Sequence, residues 1–189
     1  MTSKLLKKHK APTPRGFTLL ETLVAVLILA TAIAGPLSIA SRSLTNSLIS
    51  KNQITAFFLA QDAVEYVRFV RDSNRLKSGN WITGAGGTGT GVDLTPCTTT
   101  NGCYVDSTEN SPSIPTACDP SNGCSRMSYD STNSRYTYTG GVTTLFTRQI
   151  KLTQIATSNE YNLAVTVSWV DNGGISRNVV VTENILKWQ

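Results

Sequence analysis

The residues able to do chemistry are few, and they fall into two groups. Four cysteines lie between positions 97 and 124, while a single carboxylate, Glu21, stands inside an 18-residue apolar run from Phe17 to Ala34. The cysteines repeat one spacing: Cys97 and Cys103 are separated by five residues, as are Cys118 and Cys124, and each second cysteine comes directly after Asn-Gly. Outside the cytoplasm an even cysteine count favours disulfides, and the repeat favours Cys97 with Cys103 and Cys118 with Cys124 among the three possible pairings. Rings this small constrain little chain, so each contributes on the order of 2 kcal/mol in the loop-entropy model. A four-cysteine metal site is the rival reading, with gaps wider than those usual in zinc knuckles. The nearby Asp119-Pro120-Ser121-Asn122-Gly123 supplies oxygen atoms but reads as a turn, far from a complete calcium loop.

Catalytic arrangements are absent from the pattern. The one histidine, His9, lies among the lysines at the amino end, so no Ser-His or Cys-His pair can form in the rest of the chain, and the acidic residues show no paired pattern. Gly84-Ala85-Gly86-Gly87-Thr88-Gly89 matches the spacing of a dinucleotide-binding loop. The next segment, Gly91-Val92-Asp93-Leu94-Thr95-Pro96, has turn chemistry instead of the helix that a phosphate site requires. The expectation is a protein with no catalytic residues, no metal and no cofactor.

Charge locates the partners. The formal charge is +5, with 17 basic and 12 acidic residues; Lys4, Lys7, Lys8, Lys10 and Arg15 account for five of the basic ones, and the remaining 12 balance the 12 acids. The body therefore has no net field for a phosphate backbone, and DNA binding would depend on a local patch around Arg126, Arg135 or Arg148. The apolar run is long enough to cross a bilayer as a helix. Its basic flank precedes it and only Arg42 comes soon after it, which predicts the amino end in the cytoplasm and the rest exported. Three readings compete for the segment. A secretory signal would use Ala32-Ile33-Ala34 as its cleavage site, but Pro36 and Glu21 both argue against it. A plain anchor leaves Glu21 unexplained, since a carboxylate in hydrocarbon costs about 2.5 to 3.5 kcal/mol on insertion scales unless it is paired or near the interface.

The third reading rests on Arg15-Gly16-Phe17-Thr18-Leu19-Leu20-Glu21, which resembles the class III signal of type IV pilins and type II secretion pseudopilins. The resemblance implies that a prepilin peptidase cuts after Gly16 and methylates the new terminal amine of Phe17. It also implies that Glu21, fifth from that terminus, pairs with the amine of a neighbouring subunit during assembly. Glycine before the cut suits a protease that must accept extended backbone. Two charges that are each costly in hydrocarbon become tolerable together. Gly35-Pro36 is, by the same resemblance, where the long helix bends or loses hydrogen bonds. The string from Ala56 to Arg68, continued by Arg71-Asp72-Ser73-Asn74, looks like the stalk of minor pilins and pseudopilins.

The elements that must position these residues emerge from periodicity. From Leu37 to Leu76, Ile54, Phe57, Ala60, Val64 and Val67 recur at helical spacing, and Ser78-Gly79-Asn80 is a stop signal. Residues 79–141 are rich in Gly, Ser, Thr, Asn and Pro and read as a long variable loop. At its end Tyr136–Thr139, and beyond it Val142–Ile155, have strand composition; Leu163, Val165, Val167 and Trp169 alternate with other residues, Asp171-Asn172-Gly173-Gly174 reads as a turn, and Ile175–Ile185 resumes as strand. The expected organisation is a leader at 1–16, a transmembrane and assembly helix at 17–40, an amphipathic stalk helix at 41–78, a cysteine-bearing loop region at 79–141 and an antiparallel sheet at 142–189. The fold class is α+β and pilin-like, a long amino-terminal helix packed on a small carboxy-terminal antiparallel sheet.

The function expected from the resemblance is that of a minor pilin or pseudopilin, processed and assembled into a type IV pilus or a type II secretion pseudopilus. Its partners would be prepilin peptidase, other pilin or pseudopilin subunits, the inner-membrane assembly platform and membrane lipid. It would begin as a single-pass protein of the cytoplasmic membrane and end in an extracellular or periplasmic filament. The alternative from another class is a membrane-anchored or filament-displayed adhesin or DNA-uptake protein, and a third reading is a secreted protein with a conventional signal peptide.

Overall fold

The computed structural model describes residues 16–87, 91–107, 113–155 and 159–187. One helix, α1, spans Leu19–Leu76 and contains Pro36 without a break. The contact pattern divides the chain into two compact units at Ser47 and Leu48, so α1 contributes to both.

In the first unit every described residue from 16 to 47 is exposed, including Leu20, Leu23, Val26, Leu27 and Leu29. In the second unit the helix carries a buried face of Ala56, Leu59, Ala60, Ala63, Val64, Val67 and Val70. The expected stripe is rotated from this one: Ala60, Val64 and Val67 are buried, but Ile54 is 58% and Phe57 43% exposed. Alanines at 56, 60 and 63 make up much of the buried face, whereas the larger residues dominate the hydrophobic pattern of the sequence.

The helix ends by a Schellman arrangement. Ser78 adopts φ +60°, its N–H donates to the Arg75 carbonyl at 2.8 Å, and Gly79 N–H donates to the Asn74 carbonyl at 2.9 Å. The stop signal thus works through serine in the left-handed position, with glycine next to it.

Among the described residues seven strands form one antiparallel sheet: β1 Cys103–Tyr104, β2 Thr116–Ala117, β3 Arg126–Asp130, β4 Arg135–Thr137, β5 Val142–Gln154, β6 Glu160–Val170 and β7 Ser176–Leu186. The 13-residue β5 organises it, pairing with β6 along one edge and with both β1 and β3 along the other, while β2 extends β1, β4 extends β3 and β7 extends β6. Arg148 opposes Val167, Ile150 opposes Val165 and Leu152 opposes Leu163, so one face of the sheet is a buried row against α1. Each fully buried aliphatic side chain in that row contributes roughly 1.5 to 3 kcal/mol of transfer free energy. Trp169 closes the row against Phe146 with ring centroids 5.9 Å apart, and Trp81 meets Tyr161 edge-on at 5.4 Å.

The long-loop expectation for 79–141 gives way here to strands β1 to β3 and a 3-10 turn at Thr95–Thr98, while β4 overlaps the Tyr136–Thr139 run read as strand. These elements are two to five residues long, too short to show a period, and two of them take their place in the sheet by pairing with β5.

Candidate processing and assembly segment

Gly16, Phe17 and Thr18 precede the helix and are exposed. No atom lies within 4 Å of where a Gly16 side chain would begin, and Phe17 is 78% exposed. The helix start is set by Thr18, whose Oγ1 accepts the Glu21 N–H at 3.3 Å while its carbonyl accepts Thr22 N–H at 3.2 Å. Thr18 is therefore the N-cap and Glu21 the third helical residue, the Thr-x-x-Glu order of a capping box. The four-residue signal for this cap is present in the sequence, inside the Arg15–Glu21 string that carries the resemblance. The Gly16–Phe17 bond consequently lies outside the helix, on backbone that a protease can accept in extended form. Residues 1–15, including the basic cluster and His9, lie outside the described residues.

Glu21 is exposed in the first turn, where the positive end of the helix dipole favours a carboxylate, and among the described residues it forms no ion pair. The hydroxyls farther along the apolar stretch do not compete for partners. Thr22 donates to the Leu19 carbonyl at 2.9 Å, and Thr31 donates to those of Leu27 and Ile28, both at 3.0 Å. Glu21 is thus the charged group in this stretch that has no ion-pair partner among the described residues. By length and composition α1 contains a segment apolar enough to cross a membrane, and none of that segment is buried by the chain itself.

The second group of residues lies on the second unit. Cys97 is joined to Cys103 and Cys118 to Cys124 by disulfides, leaving no free cysteine among the described residues. The two rings are tied together, since Cys103 opposes Ala117 and Cys118 N–H donates to the Gly102 carbonyl at 3.0 Å. Gly102 is required there: its φ is +66°, and a Cβ would stand 2.4 Å from the Ile150 carbonyl oxygen. Asp119 holds the second ring's turn by accepting the N–H groups of Asn122 and Ser121 at 2.7 and 2.8 Å. Those two bonds, Asn122 first, hold its carboxyl below the usual carboxylate range. Among the described residues no three His, Cys, Asp or Glu side chains are gathered as a metal site would need. Gly84 and Gly86 have positive φ, and Gly89 falls outside the described residues.

Of the three arginines considered for an anionic patch, Arg148 is removed from the surface altogether. Its side chain is fully buried and donates to the Leu59 carbonyl at 3.0 Å, to Asp62 Oδ2 at 2.6 Å and to the Val105 carbonyl at 2.7 Å. It fastens sheet, helix and the β1 segment together. Tyr138 lies beside it, with the guanidinium carbon 6.0 Å from the ring centroid, and burial pushes the phenol above its ordinary pKa. Asn74 plays a matching part in the last turn of α1, buried with Nδ2 on the Val92 and Trp81 carbonyls at 2.8 and 3.3 Å and Oδ1 accepting Val92 N–H at 3.0 Å. Neither role is legible from spacing.

Residues 13–35 match the family described as the prokaryotic N-terminal methylation motif. No curated relative and no solved structure matches the chain. The matched residues contain the exposed Gly16–Phe17 bond, the capped helix start and Glu21, and they continue into the apolar, membrane-length helix. This motif, heading a long helix that leads into an antiparallel sheet, supports the type IV pilin and pseudopilin family for this chain, as a membrane-anchored structural protein and a substrate of prepilin peptidase.

Proposed function

We propose that the chain is a minor pilin or pseudopilin that is cut after Gly16, methylated on Phe17 and drawn from the bilayer into a filament. The observation that carries this reading is the coincidence, within one matched segment, of an accessible Gly-Phe bond and a first-turn carboxylate with no ion-pair partner among the described residues. A terminal ammonium on a neighbouring subunit would supply the counter-charge that Glu21 does not find among the described residues, and pairing would set axial register as well as recruit the subunit.

The basic flank puts the amino end in the cytoplasm and the disulfide-bearing unit in an oxidising compartment, the setting in which such bonds persist. In this organisation residues 1–16 are the leader, 17–40 the assembly helix and 41–78 the stalk, with the cysteine region and sheet displayed outward. The assembly platform and lipid are the partners before polymerisation, and sister subunits after it.

The test is to produce Gly16→Val and Glu21→Val variants in cells that contain the peptidase and filament machinery. Gly16→Val should remain at precursor mass in the membrane. Glu21→Val should be cut but recovered poorly in sheared filaments, and normal incorporation of that variant would overturn the pairing role.

A further inference from the structure

The sequence contains three Asn-Gly pairs, at 101–102, 122–123 and 172–173, and the structure places them in different chemical situations. An asparagine before a glycine can close on itself when the glycine nitrogen attacks the side-chain amide carbon, because no side chain obstructs the approach. Whether it does so depends on how freely the two residues turn and on what removes the nitrogen's proton.

Two of the pairs are held. Gly102 is enclosed against the Ile150 carbonyl, its N–H donates to the Thr99 carbonyl at 3.0 Å, and the pair lies inside the Cys97–Cys103 ring. Gly123 exchanges two hydrogen bonds with Asp119, at 2.9 and 3.0 Å, inside the Cys118–Cys124 ring. The third pair is the tip of the β6–β7 hairpin. Asn172 is exposed, and among the described residues nothing holds its side-chain amide. Gly173 N–H points at a carboxylate, donating to Asp171 Oδ1 at 2.9 Å. Asp171 is fixed in that position by Ile175 N–H at 3.0 Å on the same oxygen and by Arg177 Nε at 2.8 Å on the other. Ile175 N–H first and Arg177 second hold the Asp171 carboxyl below the ordinary range, because both stabilise its charged form.

We infer that Asn172 is a site of spontaneous deamidation, with Asp171 as the base that assists it. The Gly173 nitrogen passes its proton to the Asp171 carboxylate and forms a bond to Asn172 Cγ; the Cγ–Nδ2 bond breaks and Nδ2 leaves as ammonia, taking the proton back. Water then opens the five-membered imide at either carbonyl, giving aspartate or isoaspartate. The net change is loss of ammonia and gain of water, with no oxidant or reductant involved. An exposed hairpin tip opens locally at little cost, which lets the nitrogen reach Cγ. The product adds a negative charge beside Asp171 and, as isoaspartate, an extra backbone atom in the turn that sets the β6–β7 register.

The experiment is to age the full-length, detergent-solubilised chain in heavy-oxygen water at neutral to mildly alkaline pH and map the digest by mass spectrometry. Conversion with heavy-oxygen uptake should appear at Asn172 before Asn101 or Asn122, as a mixture of aspartate and isoaspartate. Earlier conversion at either ring site would overturn the assignment, and this comparison within the wild-type chain needs no variant. Asp171→Asn retains an oxygen to accept Gly173 N–H but not the charge, and should slow conversion at 172 several-fold. An unchanged or faster rate in that variant would remove the assisting role of the carboxylate.

Discussion

Arg148 and Asp62 join β5 to α1 across 86 positions of sequence, and their exposures differ sharply: the arginine side chain is 0% exposed and the aspartate 48%. That asymmetry makes the energetics of the pair predictable. In Asp62→Asn the guanidinium stays buried and loses its anionic partner while keeping the carbonyls of Leu59 and Val105. Losing one partner of a buried pair costs about 3 to 5 kcal/mol, and solvent around Asp62 reduces this to about 2 to 3 kcal/mol here. In Arg148→Met the Leu59 carbonyl remains within the helix, Asp62 rehydrates, and the main loss is the donor to the Val105 carbonyl, about 2 kcal/mol. Once the guanidinium is gone Asp62 has nothing to neutralise, so the double variant should cost no more than Arg148→Met alone. The coupling is therefore about 2 to 3 kcal/mol, far from additive. Denaturant titrations of the full-length chain in detergent, tracked by the fluorescence of the core residues Trp81 and Trp169, would measure it.

Two other outcomes are expected from the same structure. Asn74→Leu should destabilise the second unit by about 2 to 3 kcal/mol, because Val92 N–H and C=O lose buried partners together, and amide exchange at Val92 should accelerate in step. Asp119, Asp130 and Asp171 all have carboxyls held below the usual range, so each contributes stability that is fully present above the unfolded value near pH 4 and is lost as pH falls through its lower folded value. Acid titration should show a decline starting below about pH 4, and Asp130→Asn, which keeps one acceptor oxygen but removes the charge that the Asn133 side-chain amide and the Thr132 N–H stabilise, should flatten it. A decline of the same steepness in that variant would contradict the assignment.

How much of the fold and of the candidate site is legible in the sequence depends on the range of the interactions concerned. The α1 helix and strands β5 to β7 announce themselves because each repeats a local pattern over 11 residues or more, and Leu163, Val165, Val167 and Trp169 are buried as their alternation implies. The processing segment is legible for the same reason, being one contiguous string. Strands β1 to β3 are not, because elements of two to five residues show no period, whereas β4 overlaps the strand composition of Tyr136–Thr139. Arg148 reads as a candidate surface cation, since nothing in its neighbours along the chain discloses carbonyls at Leu59 and Val105 that lie 89 and 43 positions away. Hydrophobicity alone puts Ile54 and Phe57 on the buried face, whereas the face that is buried contains the alanines near them, Ala56, Ala60 and Ala63.

How the chain begins after maturation decides between a processed filament subunit and a conventionally exported protein. Intact-mass and fragment-ion spectrometry of the protein purified from its native membrane or filament tests this most directly. The expected result is a chain starting at Phe17, with a methyl group on its amine and both disulfides intact. A chain that retains residues 1–16, or one that begins at Gly35 after conventional signal cleavage, would contradict it.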